Sequence, residues 1–314
     1  MADAFPTGPR TFHRKTHGFR RFLFSIQAMA ISAHRGKSIF RKTERELLRL
    51  ASGHKSDAVH GFRTSTRRLQ TLLEQLVADG DGKHKKLLKT LNRIRKAAGK
   101  VRDVDVQLEA LRRLKVPQEP RRKTQLMQSL IELRVQHEKR LRKLLRKHDI
   151  RDIRKRLRRA EDSLRLDSNR DPLSVAKQML RSIPIPQGPV DEETLHHYRL
   201  AVKRARYAAE FATKSAETTR FLAELKQLQD ALGSWHDWLT LTHSARERLG
   251  DVGQSSLVAV LHNVTREKFR QAVNAVTAAT SDKRSTQPKA RESQPTRRTA
   301  SKSIAAVRPA GAAA

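Results

Sequence analysis

Cysteine is absent from all 314 residues, which excludes disulfides and thiolate metal or redox centres. Aromatic residues make up only 4% of the chain. That scarcity argues against single-strand binders that stack bases on Phe, Tyr and Trp, and leaves backbone-directed electrostatics as the binding mode. Acidic residues are also in deficit, with 32 Asp and Glu against 67 Lys and Arg, for a formal charge of +35. Self-repulsion on that scale calls for counterions or a bound polyanion. Long apolar runs are missing as well. Leu23 to Ala33 is interrupted by Ser25 and Gln27 and is too short to span a bilayer, so no membrane crossing is expected. Residues 10 to 21 are basic and free of acid, but no apolar core with a small-residue cleavage site follows, which argues against a targeting segment.

What is present is helical periodicity. From Phe22 to Ala279, Leu, Ile, Val and Ala recur at three- and four-residue spacing without period-two alternation, which predicts an all-α fold. Breaks rich in Gly, Pro, Asp or Ser fall at Gly53–Asp57, Asp79–Gly82, Pro117–Pro120, Asp167–Pro172, Pro184–Val190 and Gly250–Gly253, and delimit about eight helices. The expected organisation is a flexible N-terminus over 1–19, a helical domain over 20–280 with halves near 20–168 and 169–280, and a disordered basic tail over 281–314. The tail carries eight Lys and Arg against two acids and has no apolar period.

The halves share motifs. His60, Arg63, Arg67 and Arg68 are repeated at the same spacing by His196, Arg199, Lys203 and Arg204. A second signature follows each in the same order: Gly99-Lys100-Val101-Arg102-Asp103 aligns with Gly233-Ser234-Trp235-His236-Asp237. Two ordered signatures point to duplication. At about 100° per residue, His60, Arg63 and Arg67 lie within roughly 60° of one another, opposite Phe62, Leu69, Leu73 and Leu76. His196, Arg199, Lys203 and Arg206 group in the same way.

From Lys83 to Arg102 there are nine basic residues and no acid. Within this run Lys89, Arg93, Lys96 and Lys100 form a cationic stripe beside Leu87, Leu91, Ile94, Ala98 and Val101. Like charges at i, i+4 cost a few tenths of a kcal/mol per pair, so a row without acidic partners suits a ligand that supplies the missing charge. Lys139 to Arg159 is denser still, with twelve bases against Asp149 and Asp152, and either extends the ligand surface or faces solvent.

Val59-His60-Gly61-Phe62-Arg63, Gly99 to Asp105, Leu195 to Glu210 and Leu225 to Asp237 together resemble the CHAD domain, the conserved histidine α-helical domain, over roughly residues 20 to 280. The resemblance implies two pseudo-symmetric helical bundles, about four helices each, around a basic groove or pore that binds inorganic polyphosphate without a cofactor. It also implies residence in the cytoplasm with polyphosphate granules. The implied binding residues are His60, Arg63, Arg67, Arg68, Lys89, Arg93, Lys96, Lys100, His196, Arg199, Lys203, Arg204, Arg206 and Lys226. The chain departs from the family pattern at Asn92, where a base is usual, and Arg93, Lys96 and Lys100 align with Gln227, Asp230 and Ser234, so the stripe is lopsided.

Two other readings compete. His236-Asp237 with His196 or His197 and Asp251 suggests a metal-dependent phosphohydrolase, but the first-half equivalent of His236 is Arg102, which cannot ligate a metal. The expectation is therefore a non-enzymatic protein, with Asp103 and Asp237 pairing with neighbouring bases. A nucleoid-type DNA-binding protein is the stronger rival, because the net charge and the basic tail would suit it. No zinc finger or RNA-recognition signature accompanies them.

Overall fold

In the computed structural model, residues 17–78, 83–116, 118–183 and 189–286 are described, with side chains described between residues 34 and 281. The remainder of the N-terminal segment and the tail beyond residue 286 lie outside the described residues. Nine α-helices account for nearly everything described: α1 (His17–Ser52), α2 (Ser56–Gln75), α3 (Lys83–Arg113), α4 (Pro120–Arg142), α5 (Lys147–Asp162), α6 (Pro172–Arg181), α7 (Glu192–Ala209), α8 (Ala216–Leu249) and α9 (Ser256–Thr286). Among the described residues, β pairing amounts to one isolated bridge between Val77 and Leu166. It ties the end of α2 to the segment after α5, with Asp167 donating to the Leu76 carbonyl at 3.0 Å.

Local chemistry explains the starts and stops. Asp171, Asp191 and Ser215 each accept from the backbone N–H three residues on, capping α6, α7 and α8. Pro120 and Pro172 occupy first-turn positions where no N–H is needed. Gly250 ends α8 at φ +85°, a conformation that penalises a side chain. Two breaks carry no glycine or proline. Between α7 and α8 the signal is the Ser215 cap. Between α4 and α5 there is no side-chain cap at Arg146, and tertiary packing decides. Ile153 and Leu157 of α5 are buried, and the helix docks on α1 through Arg154 to Glu44 at 2.7 Å, Arg158 to Glu44 at 3.2 Å and Arg41 to Glu161 at 2.8 Å.

Three apolar cores hold the chain together. The first joins α1, α2, α3 and α5 around Phe40, Leu47, Phe62, Leu69, Leu91 and Ile153. A fully buried residue of this kind contributes about 1.5–3 kcal/mol. The second joins α6, α7, α8 and the far part of α9 around Leu195, Val202, Trp235 and Val276. The third crosses the boundary between the halves: Val104, Leu111, Leu126 and Leu130 from α3 and α4 pack with Leu241, Ala245, Leu257 and Leu261 from α8 and α9. The helices are therefore not divided into two self-contained groups. The halves also meet through α2 against α7 and α3 against α8, the helices that carry the repeated motifs.

α1 and α2 approach closely at Gly61, where a Cβ would collide with the carboxylate of Glu46. Among the described residues, no helix is long and apolar enough to cross a membrane.

Candidate functional site

Because α2 lies on α7 and α3 on α8, equivalent motif residues from the two halves converge. Arg63 and Arg67 on α2 and Arg199 and Lys203 on α7 are half-buried and lie within electrostatic range of one another. Arg63 faces Asp103 of α3 at 3.5 Å, and its guanidinium lies about 3.8 Å from where a Cβ on Gly99 would stand. In the second half Asp237 of α8 lies within range of Arg199 and Lys203. Two carboxylates thus sit among a larger number of cations.

The electrostatics record that imbalance. Burial lowers the Arg63 pKa, Asp103 opposes the shift, and Arg67 and Arg102 add to it. Burial likewise lowers Arg199, with Asp237 opposing and Arg67 reinforcing. Lys203 is driven down from 10.5 to about 7, first by burial and then by Arg199 and Arg67. The pKa of Asp237 is raised, because burial outweighs the pull of Arg199 and Lys203. His236 falls to about 3 through burial, then Arg199, and stays neutral at physiological pH. Nε of Arg199 and Nδ1 of His236 are buried without a hydrogen-bond partner. Alongside the group runs a cleft of about 530 Å³ lined by Arg102, Arg113, Arg199, Lys203, Gln229 and Asp237 among others.

The remaining expected residues are placed variously. His60 is exposed beside the group; its pKa is lowered by burial of its ring environment and then by Arg102 and Arg63. His196 is exposed at the other end, with ring centroids 6.4 Å from His197 and 5.8 Å from His236. Arg68 is committed to Glu210 at the C-cap of α7, donating from Nε at 2.5 Å and from Nη2 at 3.0 Å, and lies over the Tyr207 ring at 5.9 Å. Arg206 reaches Gln229 at 3.1 Å and Glu210 at 3.6 Å. Arg204 is exposed about 100° or more around α7 from Arg199 and Lys203, outside the group. Lys226 is exposed and pairs with Asp230 at 2.5 Å. Lys89, Arg93, Lys96 and Lys100 are exposed on a different side of α3 from the one that meets α2 and α8.

Two central residues escaped the sequence reading. Arg95 is half-buried, its pKa lowered by burial and then by Arg67 and Arg63. Arg102 donates to the Ser56 hydroxyl at 2.7 Å and lines the cleft. Both belong to the nine-base run, and their helical phase with Gly99 and Asp103 is the signal that marks them. Among the described residues, no three His, Asp or Glu side chains gather in a way that could hold a metal ion.

A family model described as the CHAD domain matches residues 37–246. Two solved structures share the fold. The CHAD domain from the plant Ricinus communis is 17% identical at a TM-score of 0.58, with 80% of this chain and 90% of that chain covered. PptA from Streptomyces chartreusis is 16% identical at a TM-score of 0.58, with 81% of this chain and 98% of that one covered. Among curated proteins, none matches the chain.

Proposed function

The chain belongs to the CHAD domain family, and from that premise we propose that it binds inorganic polyphosphate, without cleaving it, across the cationic centre where its halves meet. The observation that carries this reading is the convergence of Arg63, Arg67, Arg199 and Lys203, where burial and then the neighbouring cations lower the pKa of Arg63, Arg199 and Lys203 while Asp103 and Asp237 oppose the shift. Held fixed and half-buried, they are costly to the protein alone. A threadlike anion with closely spaced charges offsets that cost and, in a desolvated setting, forms strong charge-assisted bonds. Arg95 and Arg102 extend the row on α3, while His60 and His196 stand at its margins. Arg68 and Arg206 act by holding the halves in register through Glu210.

A purely binding role is favoured because Arg102, Arg113, Arg199 and Lys203 on the cleft grip phosphate oxygens without activating water, while each carboxylate that lines it lies beside a cation: Glu109 by Arg113, Asp230 by Lys226 and Asp237 by Arg199 and Lys203. Association with polyphosphate granules follows as the cellular correlate.

The test uses the full chain and long-chain polyphosphate. Arg63→Ala, Arg67→Ala, Arg199→Ala and Lys203→Ala combined should weaken binding by at least about 100-fold, since each lost charge-assisted bond is worth on the order of 1.5–3 kcal/mol. Lys214→Ala, Arg220→Ala, Arg266→Ala and Arg270→Ala, which remove four exposed charges elsewhere, should change it by no more than about fivefold. Equal losses in the two folded variants would reduce the protein to a nonspecific polycation. Metal-dependent shortening of the polymer by the wild-type protein would defeat the non-enzymatic reading.

A further inference from the structure

The basic residues that the centre leaves out gather on a second face. Lys89, Arg93, Lys96 and Lys100 project from α3 about 120° around the helix from Arg95, Gly99 and Arg102, at 100° per residue. From Lys89 to Lys100 the row runs for about 16 Å. α4 packs beside α3 in the opposite direction, and brings its own bases into register with that row. Lys100 of α3 and Arg140 of α4 both lie within electrostatic range of His137, whose pKa is lowered by burial and then by these two charges. Arg93 shares a cleft of about 490 Å³ with Lys143 of the α4 end and Arg146 at the start of α5.

These seven bases have no ion-pair partner among the described residues, in contrast to several of their neighbours. Arg154 and Arg158 share Glu44, Arg142 takes Glu138 and Arg134 takes Asp105. Two carboxylates do line the cleft. Asp152 is held by Arg156 at 2.7 Å, and Asp149 sits in the first turn of α5, where the helix dipole favours it. The face is strongly cationic, exposed and free of Phe, Tyr and Trp. It is also confined to the first half, because the positions equivalent to Lys89, Arg93, Lys96 and Lys100 are Ala223, Gln227, Asp230 and Ser234.

We propose that this outer face of α3, α4 and the start of α5 is a separate binding surface for the phosphate backbone of duplex DNA. Three features select that partner. A single phosphate thread would engage one row, whereas bases on two neighbouring helices, whose axes pack about 8–10 Å apart, suit two backbones flanking a groove about 12 Å wide. The lack of aromatic rings removes the stacking on which single-strand binders depend. Finally, the absence of the row from the second half separates it from the centre, to which both halves contribute. The binding is independent of sequence, since no side chain is placed to read base edges.

The proposal stands apart from the reading of the centre and is tested apart from it, with the full chain and a short random-sequence duplex. Arg93→Ala, Lys96→Ala, Lys100→Ala and Lys143→Ala combined should weaken duplex binding at least tenfold and flatten the log–log salt dependence by about 3.6, given roughly 0.9 per phosphate contact. The same variant should hold long-chain polyphosphate within about threefold of wild type. Arg63→Ala with Arg199→Ala should leave duplex affinity within about threefold, and so should the four-charge control on α8, α9 and the segment before α8. Duplex should still bind protein saturated with polyphosphate. Unchanged duplex affinity in the outer-face variant, an equal loss in the control, tighter binding of a matching single strand, or displacement of duplex by polyphosphate would each overturn the proposal. Failure of polyphosphate to bind at all would sink the reading of the centre and leave this one standing.

Discussion

The two halves of the molecule agree at the centre and disagree on the outside. Arg63 and Arg199 are equivalent, as are Arg67 and Lys203, and Asp103 and Asp237, and all six come together between α2, α3, α7 and α8. On the flank of α3, by contrast, four unpaired bases stand where α8 carries Ala223, Gln227, Asp230 and Ser234, and Lys226, the α8 base within that stretch, pairs with Asp230. Chemistry kept in both copies marks what needs both halves at once. Chemistry kept in one copy marks what a single half can do alone, and it is why the inner and outer faces of α3 are given different ligands.

The equivalence of the halves is most exposed to a test at the two central arginines. Arg63→Ala and Arg199→Ala should each weaken polyphosphate binding about tenfold, and the double variant about 100-fold, the near-product expected when two sites contribute to one ligand. Titrations of the three proteins would break the comparison if one arginine carried the whole effect.

The next largest effect concerns stability. Arg68→Ala leaves Glu210 without its closest cation at the α2–α7 contact, with Arg206 at 3.6 Å as the remaining neighbour. The expected destabilisation is about 1–3 kcal/mol, read as a shifted denaturant midpoint, while polyphosphate affinity stays within about threefold. A large affinity loss at unchanged stability would move Arg68 from the scaffold to the ligand.

The smallest effect separates Lys203 from its equivalent Arg67, because the lysine is brought into an accessible range. A bound polyanion raises the Lys203 pKa back from about 7 toward its ordinary 10.5, so binding takes up a proton between those values. Affinity should therefore be flat below pH 7 and fall severalfold as pH rises above it, and Lys203→Arg should flatten the profile. In the ligand-free protein the sign is opposite. The unfolded chain holds the proton more tightly through that window, so this group's penalty on folding is complete below pH 7 and fades as pH rises. A pH profile of affinity unaltered by Lys203→Arg would place the titrating group elsewhere.

Much of this was legible from the sequence. Helical spacing gave the all-α class, and six Gly-, Pro- and Asp-rich segments marked breaks that the helices respect. The paired His-x-x-Arg motifs located four of the central cations. The run from Lys83 to Arg102 was harder to read, because charge density alone does not say which side of a helix meets a partner. Arg95 and Arg102 face the centre while their neighbours Lys96 and Lys100 face outward; helical phase with Gly99 and Asp103 separates the two sets, and the packing of α3 between α2, α8 and α4 gives each its surroundings. The α4–α5 break was hidden for a related reason: Lys143-Leu144-Leu145-Arg146 has good helix formers throughout, and docking of α5 on α1 overrides them. Arg68 resembled its neighbours in sequence, and its commitment to a carboxylate 142 residues away is a long-range fact.

The apolar core that crosses between the halves has a consequence in time. Leu111, Leu126 and Leu130 find cover in Leu241, Leu257 and Leu261, residues that leave the ribosome more than a hundred positions later. At synthesis rates of about 5–20 residues per second, the nascent first half waits on the order of 10 s with that apolar surface unsealed. Its densest positive charge has by then already been translated. Newborn copies are thus sticky and highly cationic together, a state in which long-range contact formation, and not local helix formation, sets how soon the protein is safe from aggregation.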